Sequence, residues 1–157
     1  CDLGNWDVSN VTNMLDMFFF AKKFNSPLND WDVSNVIDMN YMFFEAISFN
    51  QDISKWDVSK VKYISYMFAN TLEFNQNISS WNLDKVEKCD FILDKAKAFL
   101  DKYNGGESLP YNTKKIKEWF NFNRDKIKEK YIKEEHGDEI DGFFSNILLT
   151  ECNKLCL

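Results

Sequence analysis

The chain has 157 residues, 45% hydrophobic and 28% charged, which is enough apolar material for a packed core without any uninterrupted apolar run of bilayer length. A formal net charge of −6 excludes a dedicated nucleic-acid binder, because phosphate neutralisation needs a basic surface. Aromatic residues reach 17%, with 15 Phe against 5 Gly and 2 Pro, so large flat side chains must supply an unusual share of the burial.

A period of 25 residues organises the first two thirds of the chain. Trp6, Trp31, Trp56 and Trp81 are equally spaced and open the phrases WDVSNV, WDVSNV, WDVSKV and WNLDKV. Apolar residues then recur at fixed offsets: Val11, Val36, Val61 and Val86; Met14, Met39, Ile64 and Cys89; Met17, Met42, Met67 and Ile92. Each unit returns to an aromatic at Phe24, Phe49, Phe74 and Phe99, and Leu28, Ile53 and Ile78 close the units. Leu3 stands at the same closing offset, so residues 1–5 read as a partial unit before those starting at 6, 31, 56 and 81. No initiator Met and no basic-then-apolar leader opens the sequence. One such unit cannot bury its own faces, whereas stacked neighbours can.

Within a unit, Met39, Met42, Phe43 and Ala46 follow the i, i+3, i+4, i+7 spacing of one helical face, which predicts a short helix. The preceding stretches VSNVTNM and VSNVIDM predict a short strand stacked in parallel with its counterpart. The expected fold is therefore an α/β repeat solenoid with one short parallel strand and one short helix per coil. Asn25, Asn50 and Asn75 follow the returning Phe, where the chain must turn; they read either as a hydrogen-bonded ladder or as ordinary turn residues. Asp7, Asp32 and Asp57, with Ser9, Ser34 and Ser59, read as turn and capping residues and not as catalytic groups.

The phrases FNQDISKWDVSKVKYISYMF, FNSPLNDWDVSNVIDMNYMF and FNQNISSWNLDKV resemble the BspA-like leucine-rich-repeat surface protein family, whose unit reads W-D-V-S-N-V-T-N-M-x-x-M-F. The resemblance covers residues 1–103 and implies a leucine-rich-repeat-like solenoid without enzyme activity, associated with adhesion or protein contact. A cell-surface or virion location is favoured by that resemblance alone.

From Lys85, the stripe Val86, Cys89, Ile92, Leu93, Ala96, Phe99, Leu100 and Tyr103 predicts a capping helix of some five turns. Residues 104–112, with a Gly pair and a Pro, read as a linker, and residues 113–157 as a helical hairpin. Its first helix spans Thr113 to Glu135, and its second starts at Asp138 as N-cap and carries Ile140, Phe143, Phe144, Ile147, Leu148, Cys152 and Leu155. The first helix carries eight basic residues between Lys114 and Lys133 and five acidic ones between Glu118 and Glu135, an interspersed pattern that reads as a solvated face.

The sequence points to no catalytic, metal or cofactor-binding residues. His136 has no motif around it and reads as a helix-end residue, Cys89 replaces a repeat Met, and Cys152 with Cys156 at i, i+4 would strain a mutual disulfide. The favoured reading is a non-catalytic protein-interaction or scaffolding module with a protein partner, no nucleic acid and no membrane span. The alternative is a structural component of a virion or surface layer, part of a larger assembly, with the helical tail as anchor. Two candidate contact patches follow. Asn13, Asp38, Tyr63 and Lys88 fall between inward positions of the predicted strand, and Phe19, Phe20, Tyr41, Phe44 and Tyr66 lie beside the inward positions of the predicted helices. The aromatics are either contact anchors or packing beneath the C-terminal appendage.

Overall fold

The computed structural model describes residues 3–136, with side chains through residue 129. Four 25-residue coils, starting at Trp6, Trp31, Trp56 and Trp81, lie one upon the next. Their register is fixed by backbone hydrogen bonds between residues 24 to 26 apart. Met14, Asp16, Phe18 and Phe20 donate their N–H to the carbonyls of Asp38, Asn40, Met42 and Phe44 in the following coil. The pattern repeats from coil 2 to coil 3 (Met39 to Tyr63, Tyr41 to Ser65, Phe43 to Met67, Glu45 to Ala69) and from coil 3 to coil 4 (Ile64 to Lys88, Tyr66 to Asp90, Phe68 to Ile92, Asn70 to Asp94).

The expected α/β architecture does not form. The described residues contain two helices, α1 (Lys97–Asn104) and α2 (Thr113–His136), and no sheet. Where a helix was expected in each coil there are two tandem turns, over residues 15–20, 40–45, 65–70 and 90–95. Where a strand was expected, pairing is limited to isolated parallel bridges, Asn13 to Asp38, Asp38 to Tyr63 and Tyr63 to Lys88.

The physical reason lies in the backbone. Asp16, Tyr41, Tyr66 and Phe91, and four residues later Phe20, Glu45, Asn70 and Lys95, all have φ between 53° and 58°. A left-handed residue costs about 1–2 kcal/mol for a side chain with a Cβ and stops a helix. Here it turns the N–H of that residue along the stack, where the next coil's carbonyl accepts it. The three-residue spacing that resembles a helical face comes from successive i to i+3 turns. In coil 2 these run from Met42 to Met39, Phe44 to Tyr41, Ala46 to Phe43 and Phe49 to Ala46.

Inside the coils the aromatic residues align in columns. Phe18, Phe43 and Phe68 stack at 5.3 and 5.6 Å, and Phe24, Phe49, Phe74 and Phe99 at 5.9, 6.2 and 6.1 Å. The indole N–H groups of Trp31, Trp56 and Trp81 donate to the carbonyls of Leu3, Leu28 and Ile53, each 28 residues earlier. The recurring asparagines form the ladder. Asn50 and Asn75 donate their backbone N–H to the side-chain oxygens of Asn25 and Asn50, and Gln51 and Gln76 donate to the same oxygens. Tyr103 OH then donates to the Asn75 carbonyl, carrying the column on to α1.

The predicted five-turn capping helix is corrected to the short α1. Residues 85–96 keep the coil conformation because their carbonyls at Lys88, Asp90, Ile92 and Asp94 are already engaged by coil 3 and cannot serve a helix. α1 ends at Gly105 (φ 64°), a left-handed position, with Gly106 N–H closing back on the Leu100 carbonyl. α2 starts at Thr113 as expected and packs Ile116, Phe120 and Ile127 into the core. It is tied to coil 4 by Lys117, which donates to the Asp84 and Val86 carbonyls, and by Trp119, which donates to Asn104. His136 is the last residue of α2. The predicted second helix from Asp138, together with Cys152, Cys156 and Cys1, lies outside the described residues.

Candidate protein-contact surface

In coils 2 to 4 the tandem turns bury the adjacent pairs Met42–Phe43, Met67–Phe68 and Ile92–Leu93, whereas in coil 1 Phe18 is buried and Met17 is exposed. Met42, Phe43, Met67 and Phe68 are fully buried, while their neighbours Phe19, Phe20, Tyr41, Phe44 and Tyr66 reach the surface. These five aromatics, predicted from offsets alone, come together. Phe19 packs on Phe20 at 4.6 Å and on Phe44 at 5.2 Å, Phe44 on Tyr41 at 5.8 Å, and Tyr41 stacks on Tyr66 at 4.9 Å. The ridge continues through Phe91, 4.8 Å from Tyr66, to Tyr111, 5.1 Å from Phe91. Phe91 stands 25 residues after Tyr66 and was therefore findable from the period. Tyr111 belongs to the connection before α2 and carries no such signal.

Of the two fates expected for these rings, the appendage takes only one end of the ridge. Tyr111 covers Phe91, whereas Phe19 and Phe20 remain 44% and 47% exposed. In the Tyr41–Tyr66–Phe91 column the ring faces lie against one another. Burial, with Tyr41, Asp94 and Asp90 adding to it, pushes the Tyr66 phenol above its ordinary value.

The second predicted patch forms one row, since Asn13, Asp38, Tyr63 and Lys88 are the four bridge residues. Their side chains divide by role. Asn13 and Asp38 accept the N–H of Leu15 and Asn40 and so serve their own coils, while Tyr63 OH donates to Glu87, which also pairs with Lys62 at 2.9 Å. Lys88 is exposed.

Of the structural repeat residues, Trp31, Trp56, Trp81, Phe49 and Phe74 are buried, Phe24 is half-buried, and Trp6 is 55% exposed. Trp6 thus differs from its three repeat counterparts in standing at the surface. It opens the first coil, and no described coil lies above it.

The polar residues of the repeat are engaged in turns. The carboxylates of Asp7, Asp32 and Asp57 accept the backbone N–H of Ser9, Ser34 and Ser59, and hydrogen bonding from those serines, hydroxyl first, holds all three below the usual carboxylate range. Such groups are ionised and locally satisfied, which does not suit a proton-transferring residue. The buried Cys89 thiol is pushed up to about 11, chiefly by desolvation, and donates to the Thr113 carbonyl. Among the described residues no three His, Cys, Asp or Glu side chains converge on a common point, and no helix is long and apolar enough to cross a membrane.

No curated protein and no solved structure matches the chain. A family model described as "Mycoplasma protein of unknown function, DUF285" matches residues 1–105, more than half of the chain, and the protein belongs to that family.

Proposed function

We propose that the protein is a non-catalytic interaction module, with the coil stack holding the ridge from Phe19 to Tyr111 rigid against a protein partner. The observation that carries this reading is the continuity of the ridge: seven rings drawn from all four coils and the α1–α2 connection touch in sequence on one side of the molecule. Rings fixed by stacking lose little freedom on binding, which favours aromatic anchors at contacts. The resemblance of the repeat to BspA-like leucine-rich-repeat surface proteins supports the same class of function.

The test is in-cell crosslinking with the native chain and with the double variant Phe20→Ser, Phe44→Ser. Both rings lie outside the fully buried columns, so the variant should keep its cooperative melt within about 2 kcal/mol. Proteins crosslinked to the native chain should disappear from the variant. Recovery of the same proteins at the same yield would overturn the ridge as the contact surface.

A further inference from the structure

The end of α1 carries a reactive dipeptide. The helix closes on Gly105 at φ 64°, a left-handed position that a residue with a Cβ adopts only at a cost, so the cap calls for glycine. The residue before it is Asn104, and Asn-Gly occurs once in the sequence. This pair is prone to deamidation because no side chain shields the backbone nitrogen that follows the asparagine. Gly105 is exposed, with open space where a Cβ would stand, so water reaches the step. The Asn104 carboxamide is also a joint. Its Oδ1 accepts the Trp119 indole N–H at 3.0 Å and its Nδ2 donates to the Glu107 carbonyl at 2.7 Å, so one side chain joins α1, the 105–112 connection and α2. The N–H groups of Gly105 and Gly106 both donate to the Leu100 carbonyl. The intact joint opposes the reaction twice. Both ends of the carboxamide are held away from the Gly105 nitrogen, and the proton that this nitrogen must lose is engaged by Leu100.

We propose that Asn104 is a deamidation site guarded by the α1–α2 joint, and that its conversion irreversibly loosens the 105–112 connection. When the joint opens, the Gly105 nitrogen gives its proton to hydroxide and attacks the Asn104 side-chain carbonyl carbon. The bond from that carbon to Nδ2 breaks and ammonia leaves, forming a five-membered succinimide. Water then opens the ring at either carbonyl, giving aspartate or isoaspartate; the balance is one water consumed and one ammonia released. Neither product rebuilds the joint. Aspartate can still accept from Trp119, but it has no N–H for the Glu107 carbonyl and sets a charged oxygen against it. Isoaspartate adds a methylene to the main chain and moves the Gly105 N–H off Leu100. The connection that holds Tyr111 against Phe91 then loses its first anchor. This inference stands apart from the aromatic ridge as a contact surface, because it rests on the α1 cap and the carboxamide alone.

The test incubates the full chain, its Trp119→Phe variant and a synthetic peptide of residues 103–114 at mildly alkaline pH. Mass spectrometry locates the deamidated residue, and isoaspartyl methyltransferase labelling counts one of the two products. Asn104 in the native chain should convert about tenfold or more slowly than in the peptide, because conversion waits on local opening. Trp119→Phe keeps a ring but removes the donor to Oδ1, and should move the rate toward that of the peptide. Conversion of the native chain at the peptide rate overturns the guard, as does a cooperatively melting Trp119→Phe that converts no faster than the native chain. Asn104→Asp tests the consequence whether or not Trp119→Phe folds. Amide exchange at Gly106 and Glu107 should quicken by about tenfold while the coil stack keeps its protection. Exchange at those two amides equal to that of the native chain overturns the proposed loosening.

Discussion

Coils 1 and 3 are written in nearly the same words, WDVSNV and WDVSKV, yet they differ in what each residue experiences. Trp56 is buried, donates to Leu28 and stacks 6.4 Å from Trp81, whereas Trp6 stands open to water. In coil 2, Phe49 sits between Phe24 and Phe74 and against Phe43 at 3.9 Å, while Phe24 of coil 1 stacks, among the described residues, on the rings of Phe18 and Phe49 alone. The difference shows that a residue type at a repeat offset has no fixed energetic weight. Its weight is set by whether a coil lies on both sides.

The largest test of that contrast is truncation of the returning ring. Phe49→Ala should destabilise by about 3–5 kcal/mol, because it opens a cavity walled by stacked rings that cannot collapse. Phe24→Ala should cost on the order of 2 kcal/mol, since part of that ring is already solvated. Denaturant melts of the two variants read the difference, and equal losses would break the contrast.

A smaller effect is expected at the indoles. Trp56→Phe removes the donor to a buried carbonyl and should cost about 1–3 kcal/mol for the unmet acceptor, before any packing loss. Trp6→Phe should fall within about 0.5 kcal/mol of the native chain. Thermal melts of both variants check this, and a severe loss at Trp6 would show that coil 1 is sheltered in solution.

The smallest effect should be blind to position. Asp7, Asp32 and Asp57 are depressed by serines of their own coils, so the contrast between first and central coils should vanish here. A depressed carboxylate contributes stability that is present above its unfolded-state value and is lost as pH falls through its folded value. Stability should hold from neutral pH to the ordinary carboxylate range and decline below it. Ser9→Ala and Ser59→Ala should each weaken that acid dependence to the same degree. Acid titration of the melt measures this, and a larger effect at Ser59 would tie these groups to stacking.

The candidate surface was partly legible in advance. The five aromatics of the ridge were readable because each lies beside an inward offset, and Phe91 shares their phase. Tyr111 was not, because nothing local records that residues 105–112 bring it back over coil 4. The start of α2 at Thr113 was readable from composition and apolar spacing, whereas the extent of α1 was not. The stripe from Val86 to Tyr103 satisfies helical spacing as well as it satisfies a coil.

What the sequence determined by itself is the period: four indoles 25 residues apart, asparagines recurring in the same phase, and the columns of rings that follow once like residues must lie at like levels. What only the tertiary structure decided is the path of the backbone between them. Tyr41, Tyr66 and Phe91 are not residues that choose positive φ, and nothing in their chemistry announces it. The conformation is imposed by the neighbouring coil, whose carbonyls accept N–H groups that a local helix would have kept for itself.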